Sequence, residues 1–280
     1  MHQRFQGYGV IMIVNLLLSM LFLAGEPPVD PIVVPDRALP LHSHNDYWRK
    51  RPLVDALEAG CLSLEADVVA VDGRLAVAHE RSTIRNGREL EQMYLSPLAD
   101  MVRDRGRIYP DDPRPLILMV DVKGSWTDAE PILRALTVTY ADILRPPAGT
   151  HAGDGGVVLA TSGAGAGRGR LAAGLSAIDG RPEDLGRGID SASMPMVSLS
   201  FRSRWGWKGA DAFTPEELAD LKKLADQARA EGRLLRFWSA PDFSSGWDFL
   251  MDSGVGLIST DRPAAAAKYL RERAAGKSAD

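Results

Sequence analysis

The stretch Leu116-Ile117-Leu118-Met119-Val120-Asp121-Val122-Lys123 limits the fold of this chain more than any other. Its continuous apolar run predicts a strand buried on both faces, as in a parallel sheet covered by helices. The run ends in charges. Asp121 and Lys123 therefore belong where the strand leaves the core for a polar mouth.

The same grammar recurs along the chain, short apolar runs alternating with helical stretches. Strands are predicted over 38–41, 61–69, 116–123, 156–161, 175–179, 195–200, 234–238 and 256–261. A ninth, short one over 75–78 returns through the Asp72-Gly73 turn. Helices are predicted from Arg51-Pro52 to the stop at Gly60, near 90–103, over 127–144, over 214–230, over 247–252 and from Pro263 to about Ala275. The helix at 214–230 has the clearest start, with Thr214 at the N-cap, Pro215 at the first position and Glu217 at the third. Eight strands with intervening helices define an α/β chain of the (β/α)8 TIM-barrel class. The Gly-rich run 162–169 lacks the Lys of a phosphate-binding loop and is expected to be a barrel loop.

The bulk numbers agree with one large domain over 38–275. With 280 residues, 45% of them hydrophobic and 25% charged, the chain can bury a sizeable core. A net charge of −4 without a basic cluster argues against nucleic acid as a partner. Cys61 stands alone, so no disulfide forms within the chain. Residues 1–25 read as a signal peptide or an uncleaved N-terminal anchor: His2 and Arg4, an apolar run from Val10 to Ala24, then a polar break. Pro27, Pro28, Pro31 and Pro35 mark 26–37 as a linker, and 276–280 as a disordered tail is the remaining expectation. Export to a periplasm or the cell exterior follows, with contact at a membrane surface left open and the oligomeric state not legible.

Function in such a barrel gathers at the C-terminal strand ends. Read in order, those ends give His44, Glu65 and Asp67, His79 and Glu80, Asp121 and Lys123, then Ser162, Asp179, Ser200, Trp238 and Asp261. Glu65 and Asp67 stand two apart on a strand and face one side, with Ala66 turned to the helices. Two acids in one mouth repel each other, and a hard divalent cation relieves this, with Asp121 as a third oxygen ligand. A shared proton or a pairing Arg or Lys would do so as well. His44 and His79 flank that position and suit a general acid and base. Lys123 offers its charge to a phosphoryl oxygen or to Asp121. Trp238 is a candidate pocket wall, and Phe201, Trp205 and Trp207 are either a lipid-facing rim or helix packing.

The array His44, Glu65-Ala66-Asp67, Asp72-Gly73, His79-Glu80, Asp121-Val122-Lys123 and Ile258-Ser259-Thr260-Asp261-Arg262-Pro263 resembles the phospholipase-C-like phosphodiesterase barrels. That superfamily includes glycerophosphodiester phosphodiesterases and sphingomyelinase D. His42 to Tyr47, Phe201 to Gly209 and Arg236 to Asp242 resemble its branch called altered inheritance of mitochondria protein 6. The resemblance spans roughly Leu39 to Pro263. It implies a phosphoric diester hydrolase acting on a small-molecule or lipid phosphodiester. Glu65, Asp67 and Asp121 would hold one Mg²⁺ or Ca²⁺, His44 and His79 would be the catalytic pair, and Lys123 would meet the phosphoryl group. In place of the superfamily's His-Arg-Gly opening the chain has His44-Asn45-Asp46, so Asn45 stands at a substrate-binding position and Arg49 or Arg51 is the expected substitute cation. The Pro-Glu-Asn-Thr segment of glycerophosphodiesterases is absent.

Two other functions fit the residues. His42-x-His44 after a first strand suits a His-rich metal hydrolase of amidohydrolase or PHP-phosphatase type, although such sites need later histidines and only His79 and His151 follow. An exported barrel that binds a headgroup without turning it over would carry the same side chains.

Overall fold

The computed structural model describes residues 32–145, 156–163, 177–207 and 209–276. The leader or anchor over 1–25, the first half of the Pro-rich linker, His151, most of the Gly-rich run and the tail beyond Gly276 lie outside the described residues. Among the described residues, no helix is long and apolar enough to cross a membrane.

Nine strands form the sheet: β1 Leu39–Ser43, β2 Cys61–Val71, β3 Arg74–Val77, β4 Leu116–Lys123, β5 Val157–Gly163, β6 Ala177–Gly180, β7 Met196–Ser200, β8 Leu234–Trp238 and β9 Ile258–Thr260. Eight are parallel, in the spatial order β8-β7-β6-β5-β4-β2-β1-β9. The eighth interface is a single parallel bridge from Arg236 to Leu257, with the Leu257 amide donating to Leu235 at 3.0 Å. The barrel is nearly closed. β3 stays outside the ring as an antiparallel hairpin on β2, reached through Asp72 and Gly73, both at positive φ (48° and 74°). Two left-handed residues in succession make the turn whose twist matches a two-residue hairpin.

The helices are α1 Val54–Ala59, α2 Ser96–Arg105, α3 Trp126–Thr139, α4 Phe201–Arg204, α5 Pro215–Ala230, α6 Ser244–Asp252 and α7 Pro263–Ala274. α1 stops at Gly60, at φ 88°, whose amide donates to Ala56 and Leu57. Only glycine adopts that conformation without strain. α5 begins with the predicted capping box, Glu217 N–H to Thr214 Oγ1 at 3.2 Å and Thr214 N–H to Glu217 Oε2 at 3.1 Å. The segment before α2 differs from expectation: Glu91–Leu95 is wound as a π-helix before Ser96-Pro97 opens regular α-helix. Pro97 has no N–H to give a preceding carbonyl, so the continuous helix expected near 90–103 is broken there. The helix expected over 127–144 already ends at Thr139.

The strand faces divide as the sequence demands. Leu64, Ala66 and Val68 of β2, like Leu118, Val120 and Val122 of β4, are fully buried. Phe201, Trp205, Trp207, Phe213, Phe237 and Phe249 form one aromatic cluster with ring centroids 4.7–6.4 Å apart. Phe201 and Trp205 are buried in it against Phe237 of β8, so they pack helix on barrel rather than form a rim. Register then sets the mouth. Asp67 of β2 is the ladder partner of Asp121 of β4, and Asp121 is the partner of Ser162 of β5. Three polar residues thus stand side by side at one level of the barrel.

Candidate active site

A cavity of about 220 Å³ opens at the C-terminal strand ends. Its walls include His44, Asn45, Glu65, His79, Asp121, Lys123, Asp179, Arg181, Arg236 and Trp238. Charge dominates this list.

The centre is acidic. Glu65, Asp67 and Asp121 each offer one oxygen, and the three oxygens lie within 4.8 Å of one another. Glu65 and Asp67 share a strand face because a strand repeats every second residue. Asp121 joins them through the parallel register. Asp67 Oδ2 is heavily used: it accepts from His79 Nδ1 at 2.6 Å and from the Tyr47 hydroxyl at 2.8 Å, with Lys123 Nζ at 3.5 Å. Asp67 Oδ1 and Asp121 Oδ1 are buried and have no hydrogen-bond partner among the described residues. The Cα of Gly163, at φ 81°, faces Asp121; a Cβ there would lie 2.0 Å from Asp121 Oδ1. Buried carboxylate oxygens without partners are costly, and a hard divalent cation with oxygen ligands would satisfy them. The donor set fits Mg²⁺ or Ca²⁺.

Burial pushes the Asp121 carboxyl up, and the ammonium of Lys123, 2.9 Å away, pulls the other way without cancelling it. Burial also works against the charge of Lys123, but Asp121 and Asp67 outweigh it and hold the ammonium above its usual range. Glu65 behaves differently. Burial opposes its ionisation, yet Arg236 and His42 prevail and keep the carboxyl well below the usual carboxylate range. Arg236 Nη2 reaches Glu65 Oε2 at 2.8 Å from β8, and His42 Nε2 meets the same oxygen at 3.1 Å.

His42 lies beneath the cavity, fully buried, with Nδ1 on Ser63 Oγ at 2.8 Å. Burial, reinforced by the charge of Arg236, lowers its pKa to about 3. Both ring nitrogens are engaged, which removes the His-x-His ligand pair that the sequence allowed. His42 orients Glu65 instead.

His44 and His79 are built alike. His44 Nδ1 pairs with Asp261 Oδ1 at 2.9 Å, and His79 Nδ1 pairs with Asp67 Oδ2 at 2.6 Å. Each ring is held by a carboxylate through Nδ1, and Nε2 has no partner among the described residues. That is the arrangement of an oriented acid–base imidazole. Asn45 follows in the left-handed conformation, φ 47°, which turns the chain sharply after His44.

Arg49 lies elsewhere than expected. Its guanidinium donates to the carbonyl of His44 at 2.8 Å and to the main chain of Asp261, so it braces the His44–Asp261 pair from outside the cavity lining. Arg51 is spent on Asp55 and Glu58 at 2.8 and 2.6 Å on the surface. The cavity's guanidinium groups are those of Arg181 and Arg236, which sequence reasoning left out of the site. Arg236 had a visible signal, one charge in the middle of the apolar Leu234-Leu235-Arg236-Phe237-Trp238. Arg181 had none. It donates to Asp179 Oδ2 at 2.9 Å and lies over the Trp238 ring, 5.5 Å from its centroid. Ser162 Oγ donates to the same Asp179 oxygen at 2.9 Å. Trp238 does wall the cavity, as a support for Arg181.

Residues 33–139 match the family model described as an AIM6-like phosphodiesterase domain. The chain is 29% identical over 269 residues to the altered inheritance of mitochondria protein 6 homolog of Arthroderma benhamiae, covering 82% of this chain and 83% of that protein. It is 24% identical over 274 residues to altered inheritance of mitochondria protein 6 of Eremothecium gossypii, covering 82% of this chain and 69% of the relative. Among solved structures it is similar to a glycerophosphodiester phosphodiesterase from Parabacteroides distasonis, with a TM-score of 0.51 at 14% identity over 86% of this chain and 100% of the other. That likeness is one of fold. Taken with the barrel and its acid–histidine mouth, the match over residues 33–139 supports a phosphoric diester hydrolase with an AIM6-like phosphodiesterase domain.

Proposed function

We propose that this barrel hydrolyses a phosphodiester of glycerophosphodiester or phospholipid type, with one divalent cation held by Glu65, Asp67 and Asp121 and with His44 and His79 as the acid–base pair. The observation that carries it is the symmetry of the two histidines. Each is locked by a carboxylate at Nδ1, and both line the cavity walled by Glu65 and Asp121.

The cation, Mg²⁺ or Ca²⁺, would supply the charge that binds and polarises a phosphoryl oxygen. The residues do the rest. One histidine takes the proton of the attacking hydroxyl, whether from water or from a neighbouring hydroxyl of the substrate. The other gives a proton to the departing ester oxygen as the P–O bond breaks. Asp261 and Asp67 stabilise whichever imidazole is positively charged, and each fixes the ring so that the free Nε2 is the reacting nitrogen. Lys123 and Arg181 place positive charge where the phosphoryl group gains negative charge. Arg236 keeps Glu65 ionised and in place.

The test is a panel of phosphodiesters assayed before and after chelation, with His44→Ala and His79→Ala alongside. Turnover that disappears with chelator and returns with Mg²⁺ or Ca²⁺ supports the reading. The absence of metal-dependent turnover on every member would overturn it. Equal rates in the histidine variants would spare the activity and remove the assigned roles.

A further inference from the structure

Beside the catalytic cavity runs a second depression of about 540 Å³, more than twice as large. The two share His79, whose imidazole stands in both linings. Their chemistry is opposite. The catalytic cavity is walled by charged and polar groups with Trp238 as its one apolar side chain. The second groove is floored by Val77 and Ala78, both buried, with the Tyr47 ring and the exposed Trp48 as walls. Its polar members Glu80, Thr83 and Arg85 are exposed and belong to the rim.

Trp48 is 72% exposed, a large apolar surface for a residue that packs only edge-on against Tyr47, at 6.1 Å between centroids. Its neighbour is anchored: the Tyr47 hydroxyl donates to Asp67, and Arg88 donates to the Tyr47 carbonyl. An aromatic side chain exposed to water beside a buried aliphatic floor is a surface suited to an apolar partner.

We propose that this groove binds the hydrocarbon substituent of the phosphodiester, an extended alkyl or acyl chain, while the phosphate sits in the catalytic cavity across His79. The inference rests on the proposed phosphodiesterase site and adds to it the position and nature of one substrate arm. A hydrocarbon chain has no polar group to satisfy and therefore suits a floor of methyl groups. A nucleobase or a sugar needs several donors and acceptors in the depth of its pocket; here Glu80, Thr83 and Arg85 stand at the rim, and the half-buried Arg88 donates to the Tyr47 carbonyl. Continuity through His79 makes the occupant part of the substrate.

The experiment measures binding of n-alkyl phosphates from butyl to dodecyl, each below its micelle concentration, by titration calorimetry on the full chain. Hydrolysis of bis(p-nitrophenyl) phosphate is followed separately. For complete burial each added methylene would tighten binding roughly fourfold; for a chain half covered in an open groove about twofold is expected. Trp48→Ala should weaken dodecyl phosphate about tenfold, leave butyl phosphate affinity unchanged, and be rescued by Trp48→Phe. Affinity that does not depend on chain length overturns the proposal, as does a chain-length dependence that survives in Trp48→Ala. So does tighter binding of adenosine monophosphate than of dodecyl phosphate. Failure of the phosphodiesterase reading would show instead as absent hydrolysis, while the binding series still decides the groove.

Discussion

Arg236 Nη2 lies 2.8 Å from Glu65 Oε2, an ion pair buried inside the barrel between strands that are not neighbours. His42 Nε2 donates to the same oxygen at 3.1 Å, and Arg236 Nε reaches Ser259 at 3.4 Å. The barrel interior below the mouth is thus polar, and Arg236 is the residue that makes an ionised Glu65 tolerable there. Removing it leaves a buried carboxylate without its counter-charge. Arg236→Ala is expected to destabilise the fold by about 3–5 kcal/mol. Arg236→Lys keeps the charge and should stay folded, but it loses the planar fork, so divalent-cation affinity and kcat/KM should both fall at least about tenfold. Urea denaturation and calorimetric metal titration check the two parts. A fully active Arg236→Ala would refute the role.

Gly163 makes a sharper prediction. Its φ of 81° already disfavours any side chain, and a Cβ would stand 2.0 Å from Asp121 Oδ1 and 2.5 Å from the Val122 carbonyl. Gly163→Ala must therefore move either Asp121 or the end of β5. Activity should fall at least about hundredfold, with a stability loss of about 1–3 kcal/mol, the usual cost of strained backbone. Kinetics and thermal unfolding on the same sample separate displacement of Asp121 from general unfolding.

His44 and His79 should not respond alike, despite their matching geometry. His44 leans on Asp261, which is outside the acid cluster; His79 leans on Asp67, which is inside it. Replacing either by Ala should cut kcat by about 10²–10⁴. Only His79→Ala should also change divalent-cation affinity, because it frees Asp67 Oδ2 from its shortest contact. Metal titration of the two variants against wild type tests this. Identical cation affinities in all three proteins would argue that Asp67 binds independently of His79.

The sequence disclosed most of this architecture because strand faces and parallel register are simple consequences of local pattern. Leu116 to Lys123 reads as a strand buried on both faces and is one; Glu65 and Asp67 read as sharing a face and do. The capping box at Thr214 and the stop at Gly60 are equally local. What stayed hidden depends on contacts across the barrel. Arg49 looked like a substrate cation because it follows the histidine segment, yet the turn at Asn45 carries it behind His44. Arg236 is 171 positions from Glu65 in the chain, and only barrel closure brings the two together. The split of the helix near Glu91–Leu95 was invisible for another reason, since apolar periodicity cannot tell a π turn from an α turn.

Asp112 ties the entry of the barrel together and gives a pH signature away from the catalytic groups. Its carboxylate accepts from the Ala38 amide at 3.0 Å, just ahead of β1, and from Arg114 at 2.6 Å. The Arg114 side chain, joined by the Arg114 and Ala38 amides, outweighs burial and lowers the Asp112 pKa from 3.8 to about 2. A carboxyl depressed in the folded state contributes stability that is complete above its unfolded value and disappears as pH falls through the folded one. Asp112→Asn should therefore be less stable than wild type by about 1–2 kcal/mol near neutral pH, the usual size for lost charge-assisted hydrogen bonds. The gap should stay constant down to about pH 5, narrow between 4 and 2, and close below that. Urea titrations of both proteins across this range decide it. A gap that persists unchanged to pH 2 would mean that the amide geometry, and not the charge of Asp112, carries the difference.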